Sequence, residues 1–169
     1  MKSWFGKGML AAAIALPALS GVAQADDFGC SNAMLNGEYA FGVTSYTSNY
    51  PPTVVTGVKF FDGQGKLTQR DYQGDNFAGD DFAPPGREKG TYQVSSDCTG
   101  SMTINLNAFG VPPVTTQGGV INIKFVISDG GRHIHEVVSE FTPPGASGPI
   151  ATQTSADDWK VASEQDQQQ

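Results

Sequence analysis

The residues best placed to do chemistry lie in the run His133-Ile134-His135-Glu136, with Glu140 a few positions on. On a strand, residues i and i+2 point to the same side, so the two imidazoles could grip one metal ion. Sites built this way normally take a further His from a second segment. The chain contains 2 His in all, so the set stays incomplete. The expectation is therefore no metal and no cofactor, with His133 and His135 the only candidates. Glu38, Glu136 and Glu140 are candidates for a general base. Glu136 and Glu140 share a strand face with Ile134 and Val138. If that face lines an apolar interior, burial raises their pKa values; if it looks outward, they are ordinary solvated acids. Strand parity leaves the choice open, because His133, His135, Val137, Ser139 and Phe141 make an equally mixed opposite face.

Other chemistries fare worse. No Gly-x-Ser-x-Gly elbow follows the first 25 residues, so Ser, His and Asp are present without a nucleophile motif. Asp62-Gly63-Gln64-Gly65, with Asp75, Asp80 and Asp81 further on, offers oxygens for calcium but lacks the twelve-residue loop spacing, and a hairpin turn is the simpler reading. Aromatic residues are plentiful. Tyr39, Phe41, Phe60, Tyr92 and Phe125 stand at alternating positions, where core packing accounts for most of them and a minority would line a ligand cavity. With Glu136 they are the candidate ligand-binding residues.

The elements that must carry these residues are strands. Alternation or β-branched enrichment marks 37–46, 53–61, 65–73, 89–95, 100–107, 119–128 and 132–141, and 148–154 supplies a final strand. The clearest period-2 signal puts Met102, Ile104 and Leu106 on one face, with Ser101, Thr103 and Asn105 opposite. Asp62-Gly63 and Asp129-Gly130-Gly131 mark tight hairpins. About eight strands joined mostly by short turns point to a single antiparallel up-and-down β-barrel, with a β-sandwich as the alternative. The longest connection, 74–87, is acidic and Pro-containing and would sit over a barrel mouth. The segment 155–169 reads as a polar tail, with Trp159 and Val161 as anchor points.

The N-terminus reads as an export signal: Lys2 and Lys7, an apolar stretch over 9–19, and Ala23-Gln24-Ala25 as a small-x-small cleavage site. The expected organisation is a signal peptide at 1–25, a barrel domain at 26–154 and the tail at 155–169. Removing the signal takes both its lysines. The 10 basic residues become 8 against 17 acidic, and the formal charge moves from −7 to −9. That balance argues against nucleic acid and anionic membrane surfaces as partners. No later apolar run has spanning length, so no membrane insertion is expected after cleavage, and the protein is expected to be periplasmic or secreted. In such an oxidising compartment Cys30 and Cys98 are expected to form a disulfide.

Several stretches then resemble one another's counterparts in a known group: Leu35-Asn36-Gly37-Glu38-Tyr39-Ala40-Phe41, Phe60-Phe61-Asp62-Gly63-Gln64-Gly65-Lys66-Leu67-Thr68, Gly90-Thr91-Tyr92-Gln93-Val94 with Asp97-Cys98-Thr99-Gly100, and Phe125-Val126-Ile127-Ser128-Asp129-Gly130-Gly131-Arg132. The chain resembles a family of small secreted bacterial β-barrels, similar in architecture to calycins and allene oxide cyclase-like barrels, over roughly 30–140. The resemblance implies a lumen able to hold a small hydrophobic molecule and carries over no catalytic residue set. Three functions follow as expectations: a binding module for such a molecule, an isomerase or cyclase acting by enclosure with Glu136, Tyr39 or Tyr92 as its polar group, or a structural or interaction protein of the cell exterior.

Overall fold

The structure is a computed structural model, and it describes residues 29–47, 51–73, 88–106 and 118–161. Eight strands form a closed barrel in sequence order: β1 (Asn36–Thr47), β2 (Thr53–Asp62), β3 (Lys66–Gln73), β4 (Glu88–Val94), β5 (Thr99–Asn105), β6 (Val120–Ser128), β7 (His133–Thr142) and β8 (Thr152–Lys160). Every neighbouring pair is antiparallel, and β1 pairs with both β2 and β8. Each strand pairs with a neighbour on both sides, and closure of this kind removes the commonest route to edge-to-edge aggregation. The expected up-and-down barrel is what the chain forms, and the sandwich alternative falls. Among the described residues the only helical pieces are two 3-10 turns, Asn32–Met34 and Asp129–Gly131.

The alternation read from the sequence sets the inside and outside. Met102 and Ile104 of β5 point inward, as do Ile123, Phe125 and Ile127 of β6. They join Leu35, Tyr39, Phe61, Leu67, Tyr92 and Ile134 in one apolar cluster. Tyr39, Phe61 and Tyr92 stack edge to face in series, with centroids 5.2 and 5.1 Å apart, a geometry that adds to plain area burial. Gly100 makes room for this packing: a Cβ there would lie 2.2 Å from the Phe125 ring.

One end of the barrel is sealed. Leu35 is fully buried against the floor. The Tyr92 hydroxyl donates toward the carbonyls of Leu35 (2.9 Å) and Asn32 (3.1 Å), and the Tyr39 hydroxyl donates to the Gly131 carbonyl. The Asp62 carboxylate accepts the backbone N–H groups of Gln64 (2.7 Å) and Lys66 (2.9 Å), with Gly63 and Gly65 at positive φ. This is a hairpin turn, and it commits one of the oxygens a calcium loop would need. Asp75, Asp80, Asp81 and the rest of the 74–87 loop lie outside the described residues.

The strand at the C-terminal end is displaced from its expected place. It runs over Thr152–Lys160, sharing 152–154 with the expected 148–154 and continuing into residues 155–160 of the expected tail. Of the expected segment, Ile150 makes only an isolated bridge to Phe141. The reason is chemical: β8 turns Thr154, Ala156 and Asp158 inward, a small or charged set with no apolar rhythm. Its place comes from backbone pairing on both sides, not from hydrophobic alternation.

The Cys30–Cys98 disulfide forms across a sequence separation of 68, with Cα atoms 4.9 Å apart. It ties the segment before β1 to the β4–β5 turn, where Cys30 N–H also donates to Ser96 O at 3.1 Å. A closed loop of that length corresponds to about 4 kcal/mol in the chain-entropy account. The double variant Cys30→Ser/Cys98→Ser should keep a β-sheet circular-dichroism spectrum and lose stability of that order in urea unfolding.

Candidate functional site: an ionic centre in the lumen

The inward face of β2 reads Gly57, Lys59, Phe61. Period 2 therefore drives a lysine into the barrel, where it is 2% exposed. An isolated buried ammonium is costly, and here it is surrounded. Lys59 Nζ donates to Glu136 Oε2 at 2.6 Å and to Asp158 Oδ2 at 2.9 Å, and it lies 4.6 Å from the Phe41 ring centroid. Glu136 comes from β7 and Asp158 from β8, where the register sets Glu136 opposite Ala156 and Asp158 opposite Ile134. Burial pulls the Lys59 pKa down, but the charges of Glu136 and Asp158 outweigh it, so the ammonium is held above its ordinary value. Burial pushes the Glu136 carboxyl up; the Lys59 charge opposes this and the Asp158 charge adds to it.

A second group lies on β3 and β4. Gln69 Nε2 donates to Asp71 Oδ2 at 3.0 Å and to Glu88 Oε2 at 3.1 Å. Gln69 and Glu88 are register partners, and Asp71 follows on the same face. Burial, together with the Asp71 charge, pushes the Glu88 carboxyl up to about 8 against the Gln69 hydrogen bond. Burial likewise raises Asp71, with Gln69 and the Lys59 charge pulling it down. Among the described residues, Asp71 Oδ1, Glu88 Oε1 and Glu136 Oε1 are buried and have no hydrogen-bond partner.

Beyond the ionic centre the β1–β8 seam is lined with hydroxyls. Ser45 Oγ lies 2.6 Å from Thr154 Oγ1, and Thr47 Oγ1 lies 3.2 Å from Thr152 Oγ1. The lumen thus passes from an apolar sealed floor, through a charged middle, to a hydroxyl-lined seam.

The residues singled out from the sequence divide cleanly. Tyr39, Phe41, Tyr92, Phe125 and Glu136 all point inward and are buried. Phe60 does not: it is 48% exposed on the outside, and its neighbour Phe61 takes the inner position. Glu38 is exposed on the outer face of β1. Glu140 is separated from Glu136 by a bulge. The β6–β7 register shifts between Asn122 and Ile123, so Glu140 is turned outward and accepts from Asn122 Nδ2 at 2.7 Å. His133 and His135 stand on the outer face. Sequence reasoning missed Lys59, Asp71, Glu88 and Asp158. Parity alone places Lys59 beside Phe61, a signal that was available. Asp158 lies in the polar stretch after 155, where no apolar alternation marks a strand.

The fold and site define a closed eight-stranded antiparallel barrel with a carboxyl-rich lumen. No family model matches the chain, and no curated protein matches it. Among solved structures it is similar to an S-type phycobiliprotein lyase from Guillardia theta, with a TM-score of 0.48 and 5% sequence identity, covering 79% of this chain and 92% of that one.

Two outcomes test the electrostatics. Lys59→Met leaves Glu136 and Asp158 buried without their cation and should cost about 3–5 kcal/mol in chemical unfolding at neutral pH. The Glu88 shift has a definite sign. Its folded pKa lies above the ordinary 4.5, so the folded state binds the proton more tightly. The stabilisation is complete below pH 4.5 and is lost as pH rises toward about 8. Glu88→Gln should therefore flatten the fall in stability across that window, read by urea unfolding as a function of pH.

Proposed function

We propose that the protein is an exported β-barrel that binds a small molecule in its lumen, one with an apolar body and a single basic group. The observation that carries this reading is the acid pair Asp71 and Glu88. Both are buried, they share one neutral donor in Gln69, and each keeps an oxygen without a protein partner among the described residues. Buried polar atoms in folded proteins are nearly always paired, so such oxygens mark a place where a partner from outside the chain fits. Lys59 makes its ion pairs with Glu136 and Asp158, and it reaches Asp71 only through its longer-range charge. A purely hydrophobic ligand would leave these oxygens unserved, whereas an ammonium would serve both. The aromatic residues Phe41 and Phe125, also inward, suit the apolar part.

Binding is favoured over turnover by the state of the tyrosines. Tyr39 and Tyr92, the hydroxyls an enclosing isomerase would use, donate to backbone carbonyls at the sealed floor. Export is supported by the N-terminal pattern and by the Cys30–Cys98 bond, which belongs to an oxidising compartment. Among the described residues no helix is long and apolar enough to cross a membrane. The outer face carries exposed Glu38, Lys89, Lys124 and Asp157 within its strands, unlike the continuous apolar band of a membrane-spanning barrel.

Calorimetric titration with hexylamine and with hexanoate tests the reading. Hexylamine should bind saturably and hexanoate should not. Affinity for the amine should rise from pH 6 to 8, because the proton held by Glu88 must leave before its carboxylate can pair with a cation. Asp71→Asn with Glu88→Gln should weaken binding at least about tenfold. Equal affinity for amine and acid would rule the proposal out.

A further inference from the structure

We infer that His133, His135 and Asp157 form a divalent transition-metal site on the outer face of the barrel, separate from the lumen. The two imidazoles stand on the same face of β7. The antiparallel register places Asp157 of β8 directly opposite His135, and Trp159 opposite His133. His135 Nδ1 lies 2.7 Å from Asp157 Oδ1, and His133 Nε2 lies 3.1 Å from the same oxygen. The donor atoms of all three side chains fall within 4.8 Å of one another. Both rings hydrogen-bond this carboxylate oxygen, and small side-chain rotations would open the three donor atoms around one metal. The donor set, two neutral nitrogens and one carboxylate oxygen, suits zinc, cobalt, nickel or iron(II) over calcium or magnesium.

The site is organised in advance. The His133 ring stacks on Trp159 with centroids 3.6 Å apart and planes 15° from parallel, and the two imidazole centroids are 4.0 Å apart. Its ligands sit on two strands locked by backbone pairing, so ordering them costs little. Three protein ligands leave coordination positions for water or an exogenous group. His135 and Asp157 also line a groove of ≈ 730 Å³ on the barrel wall, with Lys124 and Ser155 among its other walls. The open positions are therefore reachable from solvent. The third ligand is an aspartate on β8, a strand with no apolar alternation to mark it, and only the pairing of β8 with β7 brings it to the two histidines.

The chain's 2 His make the test direct. Untagged, chelator-treated protein is titrated with zinc while both imidazole spin systems are followed by NMR, and with cobalt while the visible spectrum reports coordination. The expected result is saturation at one ion per chain, with both imidazoles shifted and a cobalt d–d spectrum. Asp157→Asn should weaken zinc binding at least about tenfold. His135→Ala, at a half-exposed position, gives the same test should the first variant fold poorly. Absence of saturable binding up to roughly millimolar zinc, a response from one imidazole only, or unchanged affinity in both variants would each overturn the assignment.

Discussion

An ammonium withdrawn from water must be met by charge, and the interior of this barrel is organised around that requirement. Lys59 enters from β2, and its partners come from the two strands that close the barrel, Glu136 on β7 and Asp158 on β8. The idealised cost of burying such ions runs to many kcal/mol, repaid only by close, well-directed partners. The triad therefore depends on register. A one-residue slip of β8 would carry Asp158 to the outer face and put Asp157 or Trp159 in its place. Closure of the barrel is what brings the three charged side chains together.

The same alternation divides β7 and β8 into two chemistries. Inward lie Ile134, Glu136, Ala156 and Asp158, which complete the core and neutralise Lys59. Outward lie His133, His135, Asp157 and Trp159, which meet in a stacked and hydrogen-bonded cluster. Neighbouring residues thus serve opposite faces separated only by the thickness of the sheet. The bulge on β7 ends this pattern: past Val138 the parity changes, and Glu140 is returned to solvent with Asn122 as its partner.

The lumen is graded along its length. At the sealed floor, hydroxyls of Tyr39 and Tyr92 satisfy backbone carbonyls, so polar atoms there are consumed by the fold. Further along, Asp71 Oδ1 and Glu88 Oε1 have no hydrogen-bond partner among the described residues. This contrast separates polar groups consumed by the fold from the buried oxygens on which the proposed binding rests. It also explains why the aromatic residues alone were an incomplete guide to the site: they mark the floor and wall, whereas the distinctive chemistry belongs to carboxyls between them.

The sequence by itself determined the strand alternation of β5 and β6, the Asp-Gly hairpins and the all-β class, and it led to the expectation of a Cys30–Cys98 bond and of a barrel in preference to a sandwich. These are local patterns of period, turn chemistry and composition, and they survive without knowledge of neighbours. Only the tertiary structure decided which face of 132–141 looks inward, why Phe61 and not Phe60 is core, and where the chain closes on itself. Period 2 tells which residues share a face but not which face is buried. A strand such as β8, held by backbone hydrogen bonds to β1 and β7 and carrying small and charged residues inward, leaves no hydrophobic trace to read. Lys59, Asp71, Glu88 and Asp158 became a site only when closure brought strands distant in sequence around one lumen.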